Sequence, residues 1–155
     1  MHTVIVVMGV SGCGKSSVGE EMAARLGGVF VDADDLHGAE NVAHMAAGKP
    51  LNDEMRWPWL DRCIEKVNQL RQDAPAIIAC SALKRIYREH LRNGVADMSV
   101  VYLDADRDLV MSRLSEREGH YMPVSLLDSQ FATLEVPSGE KGTITVSIDN
   151  SVEGI

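Results

Sequence analysis

The residues that most constrain this chain are Thr3-Val4-Ile5-Val6-Val7-Met8 and the eight that follow, Gly9-Val10-Ser11-Gly12-Cys13-Gly14-Lys15-Ser16. A short apolar, β-branched run without polar alternation fits a strand buried on both faces of a parallel sheet. The next eight residues fit G-x-x-x-x-G-K-[ST], the phosphate-binding loop. Val18, Met22 and Leu26 then recur at i, i+4 and i+8, which predicts a helix with one apolar stripe beginning at the lysine. Strand, glycine-rich turn and helix come in the order that anion binding needs. Glycines let backbone N–H groups approach a phosphate with no Cβ in the way, and the helix adds its free N–H groups and the positive end of its dipole. The candidate phosphate-chain contacts are Gly9, Val10, Ser11, Gly12, Cys13, Gly14, Lys15, Ser16 and Ser17. Within this pattern Lys15 reaches the β- and γ-phosphates and the Ser16 hydroxyl ligates Mg²⁺.

A chain of 155 residues has room for one domain with a sizeable core, expected here to span 1–155. The formal net charge of −8 argues against non-specific affinity for nucleic acid or acidic membranes, which needs a basic footprint. Any anion must be held by a local cluster of cations. Cys13, Cys63 and Cys80 are odd in number and lack metal-ligand spacing, so reduced thiols in a cytoplasmic protein are expected. The apolar runs are too short to span a bilayer, and the first strand begins within three residues with no basic leader.

Downstream, Val29-Phe30-Val31 reads as a second strand ending in Asp32-Ala33-Asp34-Asp35, and 36–50 as a short helix closed by Gly48-Lys49-Pro50. Asn52-Asp53-Glu54 caps a helix that enters through Arg56-Trp57-Pro58-Trp59-Leu60, with Pro58 in its first turn. Ala76-Ile77-Ile78-Ala79-Cys80 is a third strand, with Ser81 as N-cap of a helix through about Arg92. Met98–Leu103 is a fourth strand, followed by helices at about 107–118 and 124–134 and a fifth strand over Thr143–Ile148. Asp149-Asn150-Ser151 has the look of a further helix start. Alternating strands and helices imply an α/β fold: a parallel sheet covered on both faces, with ligands beyond the carboxyl ends of the strands.

Three constellations fall at those ends. Asp32 and Asp34 follow the second strand, where a phosphotransferase needs a carboxylate near the acceptor hydroxyl and one near the metal. Asp34 is assigned to the hydroxyl and Asp32 to the metal, with the reverse split open. Arg113 and Arg117 repel each other at i, i+4 unless an anion sits between them, and are read as part of a mobile lid over about 113–122 that closes on a transferring phosphoryl group. Lys84, Arg88 and Arg92 form a cationic stripe after the third strand, and Arg56 stands ahead of Trp57. Arg56, Lys84 and Arg88 are candidates for gripping an acceptor carboxylate, while Arg92 is read as a solvated charge. His37 is equally a loop polar residue or a hydroxyl partner. Trp57, Trp59 and the methionines are read as packing residues.

Across essentially its whole length the chain resembles the small, thermoresistant type of gluconokinase. The resemblance rests on the phosphate loop, Asp34-Asp35-Leu36-His37, Gly48-Lys49-Pro50-Leu51-Asn52-Asp53, Arg56-Trp57-Pro58-Trp59-Leu60, Cys80-Ser81-Ala82-Leu83-Lys84 with Tyr87-Arg88, Gly119-His120, and Ser129-Gln130-Phe131 with Thr133-Leu134-Glu135. It implies a three-layer P-loop NTPase fold of the nucleoside-monophosphate-kinase kind, with a five-stranded parallel sheet and a substrate-binding helical segment at about 36–70. It also implies ATP and Mg²⁺, transfer to the 6-hydroxyl of D-gluconate, a homodimer, and acceptor contacts that include His120 and Gln130. The chain departs from the family pattern at Cys13, where serine is frequent, at Gly38, where proline is usual, and at Met55, where an acidic residue is usual. It also stops where members carry a final helix. The rival expectations are a shikimate- or nucleotide-type kinase of the same fold, and a sensor that binds ATP without turnover.

Overall fold

The computed structural model describes residues 2–10, 13–49, 52–106, 108–110, 124–137, 139–140 and 142–148. β1 (Val4–Met8) lies at the centre of a five-stranded parallel sheet. β3 (Ala76–Ala79) and β4 (Met98–Ala105) flank it, β2 (Val29–Asp32) lies outside β3, and β5 (Thr143–Ile148) lies outside β4, giving the order β2-β3-β1-β4-β5. Val6 stands opposite Ile78 on one side and Val100 on the other. Because successive side chains leave opposite faces of a strand, β1 serves two cores. Val4, Val6 and Met8 pack with Trp59, Leu60, Cys63, Val67, Tyr87 and Leu91; Val7 packs with Val18, Ala23, Ile77 and Leu103. These four of the five β1 residues are buried, each worth about 1.5–3 kcal/mol by apolar transfer. α1 (Lys15–Leu26) covers the second face; α3 (Asp53–Leu70) and α4 (Arg85–Gly94) cover the first. The three layers expected from sequence are present.

Several element boundaries differ from the sequence expectation, each for a local reason. The helix expected at 36–50 is a 3-10 turn (Ala33–Leu36) and a separate α2 (Ala39–Ala46), divided where Gly38 is extended with φ −72° and ψ 164°. α3 begins at Asp53, capped by the Asn52 side chain, which accepts from Met55 N at 2.8 Å. Pro58 thus sits in the second turn rather than the first, where its missing N–H deprives the carbonyl four residues back of a helical donor. β4 runs two residues further, to Ala105. α4 starts at Arg85, not after Ser81: the intervening residues run as an irregular segment in which Ala82 takes φ +44°. α5 spans Val124–Thr133 as expected, and residues 108–110 are helical; the remainder of the helix expected at 107–118, the lid, and the helix start at Asp149 lie outside the described residues.

The irregular Ser81–Lys84 segment is held from the far end of the chain. Arg88 is 1% exposed, and its guanidinium donates to the carbonyls of Ala82 (2.8 Å), Leu83 (3.0 Å) and Glu135 (2.8 Å). It also grips both carboxylate oxygens of Glu140, at 2.9 and 2.7 Å. The Glu135 N–H donates to Leu83 O, and the Glu135 carboxylate accepts from Arg85 N, satisfying the first turn of α4. Arg92, expected as a solvated charge, instead joins Glu140 at 2.8 Å and the Thr143 hydroxyl at 3.1 Å. Two guanidinium groups hold the Glu140 carboxyl down at about 2, hydrogen bonds from Arg88 contributing most. Because the folded-state value lies below that of the unfolded chain, the stabilisation is complete above about pH 4.5 and disappears as pH falls through about 2. Glu140→Gln is expected to cost about 3 kcal/mol at pH 7, since Arg88 stays buried without its counter-charge. Parallel urea titrations should show the gap between variant and parent closing below pH 4.5, and a gap independent of pH would mean that the charge contributes nothing.

Candidate active site

The carboxyl ends of β1, β2 and β3 gather three groups of side chains. The first is the phosphate loop. Gly9 has φ +152°, and a Cβ there would lie 2.8 Å from Cys13 Sγ and 3.0 Å from Leu103 O, so only glycine fits. Gly14, at φ +98°, opens α1 with no side-chain cap, which leaves the first-turn N–H groups of the helix directed at whatever lies before it. The Lys15 ammonium folds over the start of the loop and donates to Gly9 O at 2.9 Å and Val10 O at 3.1 Å. A glycine-lined backbone cradle, a helix N-terminus and one lysine form a donor set suited to a polyphosphate. Ser17 is exposed on the first turn, Cys13 is buried under the loop, and Ser11 and Gly12 lie outside the described residues.

The second group follows β2. The Ser16 hydroxyl lies 3.2 Å from Asp32 Oδ2, while Asp32 Oδ1 accepts from Asp34 N at 3.0 Å and so caps the 3-10 turn that carries Asp34. A hydroxyl beside a carboxylate offers the hard oxygen ligands that Mg²⁺ takes, one or two from protein and the rest from phosphate and water. Among the described residues no cluster of three or more His, Cys, Asp or Glu side chains could hold a metal by itself. The turn is tied to α3 by backbone acceptors: Trp59 Nε1 donates to Ala33 O at 2.7 Å, and Arg62 Nε to Leu36 O at 2.7 Å. Trp59, expected as packing, therefore also aims the turn.

His37 stacks on Trp59 with ring centroids 4.2 Å apart. The Asn41 amide nitrogen donates to Met55 O at 3.0 Å and lies 3.1 Å from His37 Nδ1; since that nitrogen cannot accept, Nδ1 does, and the ring proton resides on Nε2. Burial first, then the charges of Arg56 and Arg62, hold His37 down at about 4. At neutral pH it is an uncharged Nε2–H donor.

The third group spans α3, the Ser81–Lys84 segment and α4. Lys84 Nζ lies 3.0 Å from Asp53 Oδ1, the Tyr87 hydroxyl donates to the same oxygen, and Arg56 donates to the Tyr87 hydroxyl at 2.8 Å. Both cations also lie against the Tyr87 ring, Arg56 at 5.2 Å and Lys84 at 5.6 Å from its centroid. Trp57 packs edge-on to Tyr87 at 5.7 Å and supports it from behind. The Lys84 and Asp53 side chains remain 32% and 39% exposed, so the cluster faces solvent. β2 and β3 are neighbours, with Asp32 paired to Ala79, so the aspartate turn and the cation cluster leave adjacent strand ends.

Of the residues singled out in the sequence, the structure brings together Lys15, Ser16, Asp32 and Asp34 on one side, and His37, Arg56 and Lys84 on the other. Arg88 must be corrected. Its guanidinium is buried on Glu140 and three carbonyls, so it orders the segment carrying Lys84 and does not grip an acceptor. Gln130 is half-buried on α5. Arg113, Arg117 and His120 lie outside the described residues. Asp53 and Tyr87 were passed over as site residues. Tyr87 stands three residues after Lys84, and Asn52-Asp53 and Tyr87-Arg88 both belong to the stretches that carry the gluconokinase resemblance, which is the available signal for each.

Fold and site together define a phosphate-loop phosphotransferase that acts on a small acidic acceptor. A family model described as shikimate kinase matches residues 11–135. The thermoresistant gluconokinase of Escherichia coli is 42% identical over 156 residues, covering 99% of this chain and 89% of that protein. A crystal structure of a gluconokinase from Sinorhizobium meliloti superposes with a TM-score of 0.89 at 44% identity, covering 99% of this chain and 86% of that one. An unliganded sugar kinase from a Janibacter species superposes with a TM-score of 0.93 at 41% identity, covering 99% and 90%. The chain belongs to the gluconokinase family.

Proposed function

We propose that this chain transfers the γ-phosphoryl group of ATP to the 6-hydroxyl of D-gluconate. The observation that carries the reading is the pairing of Lys84 and Arg56, braced on Tyr87, with the Asp32–Asp34 turn at the adjacent strand end. One end of the acceptor needs cations for its carboxylate and the other needs a carboxylate beside its hydroxyl. Lys84 and Arg56 take the first task and Asp34 the second. His37, held neutral with its proton on Nε2, donates to a hydroxyl in between. The phosphate loop cradles the nucleotide phosphates, and Lys15 exchanges its two carbonyl partners for β- and γ-oxygens. Ser16 and Asp32 would hold Mg²⁺, which would supply charge neutralisation along the phosphate chain. Arg113 and Arg117 stabilise charge on the transferring group, and His120 and Gln130 complete the acceptor contacts. The dimer expected for the family belongs to the same proposal.

The shikimate-kinase family match supports a second reading, a shikimate-type kinase, because shikimate also offers one carboxylate and hydroxyls. An ATP-consumption screen over gluconate, other hexonates, shikimate and nucleoside monophosphates separates the two. Gluconate is expected to exceed every other acceptor in kcat/KM by about 10² or more, the size of discrimination that a few well-placed polar contacts provide. Preference for shikimate or a nucleotide overturns the reading, and ATP binding without turnover on any acceptor leaves a sensor.

A further inference from the structure

Two cations and a phenol hydroxyl converging at a strand end would serve a phosphate group as well as a carboxylate. Lysine is a habitual phosphate ligand, and arginine grips either anion with parallel hydrogen bonds. What distinguishes this cluster is the aspartate set among its cations. Asp53 Oδ1 accepts from both Lys84 Nζ and the Tyr87 hydroxyl, and Arg56 reaches the same hydroxyl. Hydrogen bonds from Tyr87 and Lys84 hold the Asp53 carboxyl below the usual range, so it is ionised at neutral pH. His37 is uncharged there, and the Tyr87 phenol, pushed up by burial, keeps its proton. Lys84 and Arg56 bring two positive charges and Asp53 removes one, leaving a pocket of net +1.

We propose that Asp53 is a specificity-determining residue that matches the acceptor pocket to a monoanionic carboxylate and turns away dianionic phosphate head groups. This rests on the gluconate reading and deepens it. A carboxylate of charge −1 brings the cluster to neutrality. A phosphate monoester, carrying close to two charges at neutral pH, overshoots it and places its second charge beside the Asp53 carboxylate, where like charges are costly. Discrimination of this kind comes from a repulsive element within an otherwise attractive site. It has a use, because polyol phosphates share the hydroxyl chain of an aldonate and differ mainly at the head group. Asp53 lies in the first turn of α3, where a carboxylate also complements the helix dipole. That role affects helix stability and is indifferent to which anion binds.

The probe is a hexitol 1-phosphate, which keeps the six-carbon hydroxyl chain and the far hydroxyl and replaces the carboxylate by a phosphate. In the unmodified protein, assayed with gluconate and ATP-Mg²⁺, its inhibition constant against gluconate is expected to exceed the gluconate KM by about tenfold or more. In Asp53→Asn that inhibition constant should fall about tenfold while the gluconate KM falls by less, since the lost repulsion acts in proportion to ligand charge, and Asp53→Glu, which keeps the charge, should retain the parental ratio. A hexitol phosphate that competes in the unmodified protein as well as gluconate binds overturns the inference, and this arm needs no variant to fold. A parallel loss of both ligands in Asp53→Asn also overturns it, because Asp53 would then be only a support for Lys84. Failure to phosphorylate gluconate in the unmodified protein sinks the underlying reading instead, and the same assay registers it separately.

Discussion

Lys15→Ala is expected to lower turnover by about 10³-fold or more while leaving the fold intact. The ammonium is positioned by two carbonyls of its own loop, Gly9 and Val10, and contributes nothing to either core. Removing it therefore costs little packing. Its work falls on the phosphate chain, where a preorganised donor at a group whose charge shifts during transfer is worth about 10²–10³ in kcat, and a full positive charge more than a neutral donor. A coupled assay for ADP release, set beside a thermal melt, checks both halves of the statement. Near-normal turnover in the variant would detach the loop from the chemistry.

Asp34→Asn should reduce kcat by about 10²–10⁴, the range typical of a positioned general base, with ATP affinity nearly unchanged. The geometry sets the direction of the split. Asp32 lies against the Ser16 hydroxyl, and Asp34 is carried two residues further along the turn, which the Trp59 bond to Ala33 O fixes. ATP affinity by calorimetry and single-turnover rates at saturating gluconate separate the two quantities. Collapse of ATP affinity with surviving turnover would exchange the roles given to Asp32 and Asp34.

Much of this could be read before any coordinates, because it is local. The run Val4–Met8, the loop that follows and the apolar stripe beginning at Lys15 are contiguous, and periodicity reports them directly. Asn52 as a cap lies one residue from the helix it starts. The misjudged features depend on partners remote in sequence. α4 does not start after Ser81 because Glu135 and Arg88 hold Leu83 and Ala82 in another conformation, and Glu135 lies some fifty residues beyond the segment it fixes. Arg88 and Arg92 read as a surface stripe because Glu140 is equally distant. A carboxylate that buries one arginine and pairs with a second is invisible to helical spacing. Asp53 was passed over for a related reason: its partners Lys84 and Tyr87 lie on the other side of β3 in the chain.

The sheet order has a consequence for how the protein is made. β1 is synthesised before the other four strands, yet among the described residues Val4 pairs with Ala76 and Met98, and β2 pairs with β3. Until Ala76–Ala79 has been synthesised, neither β1 nor β2 has its neighbour, and the early product carries helices attached to two unpaired apolar ribbons. Parallel pairing across such separations must close long loops before any contact repays them. At about 5–20 residues per second, the interval between Met8 and Ala105 lasts seconds, long enough for unpaired ribbons to invite chaperone binding or aggregation. The loop bearing Lys15 hangs from β1, so the strand that supports it is completed on both sides only after Ala105 has been made. A nucleotide bound to the completed loop would shift the stability of the finished sheet by mass action.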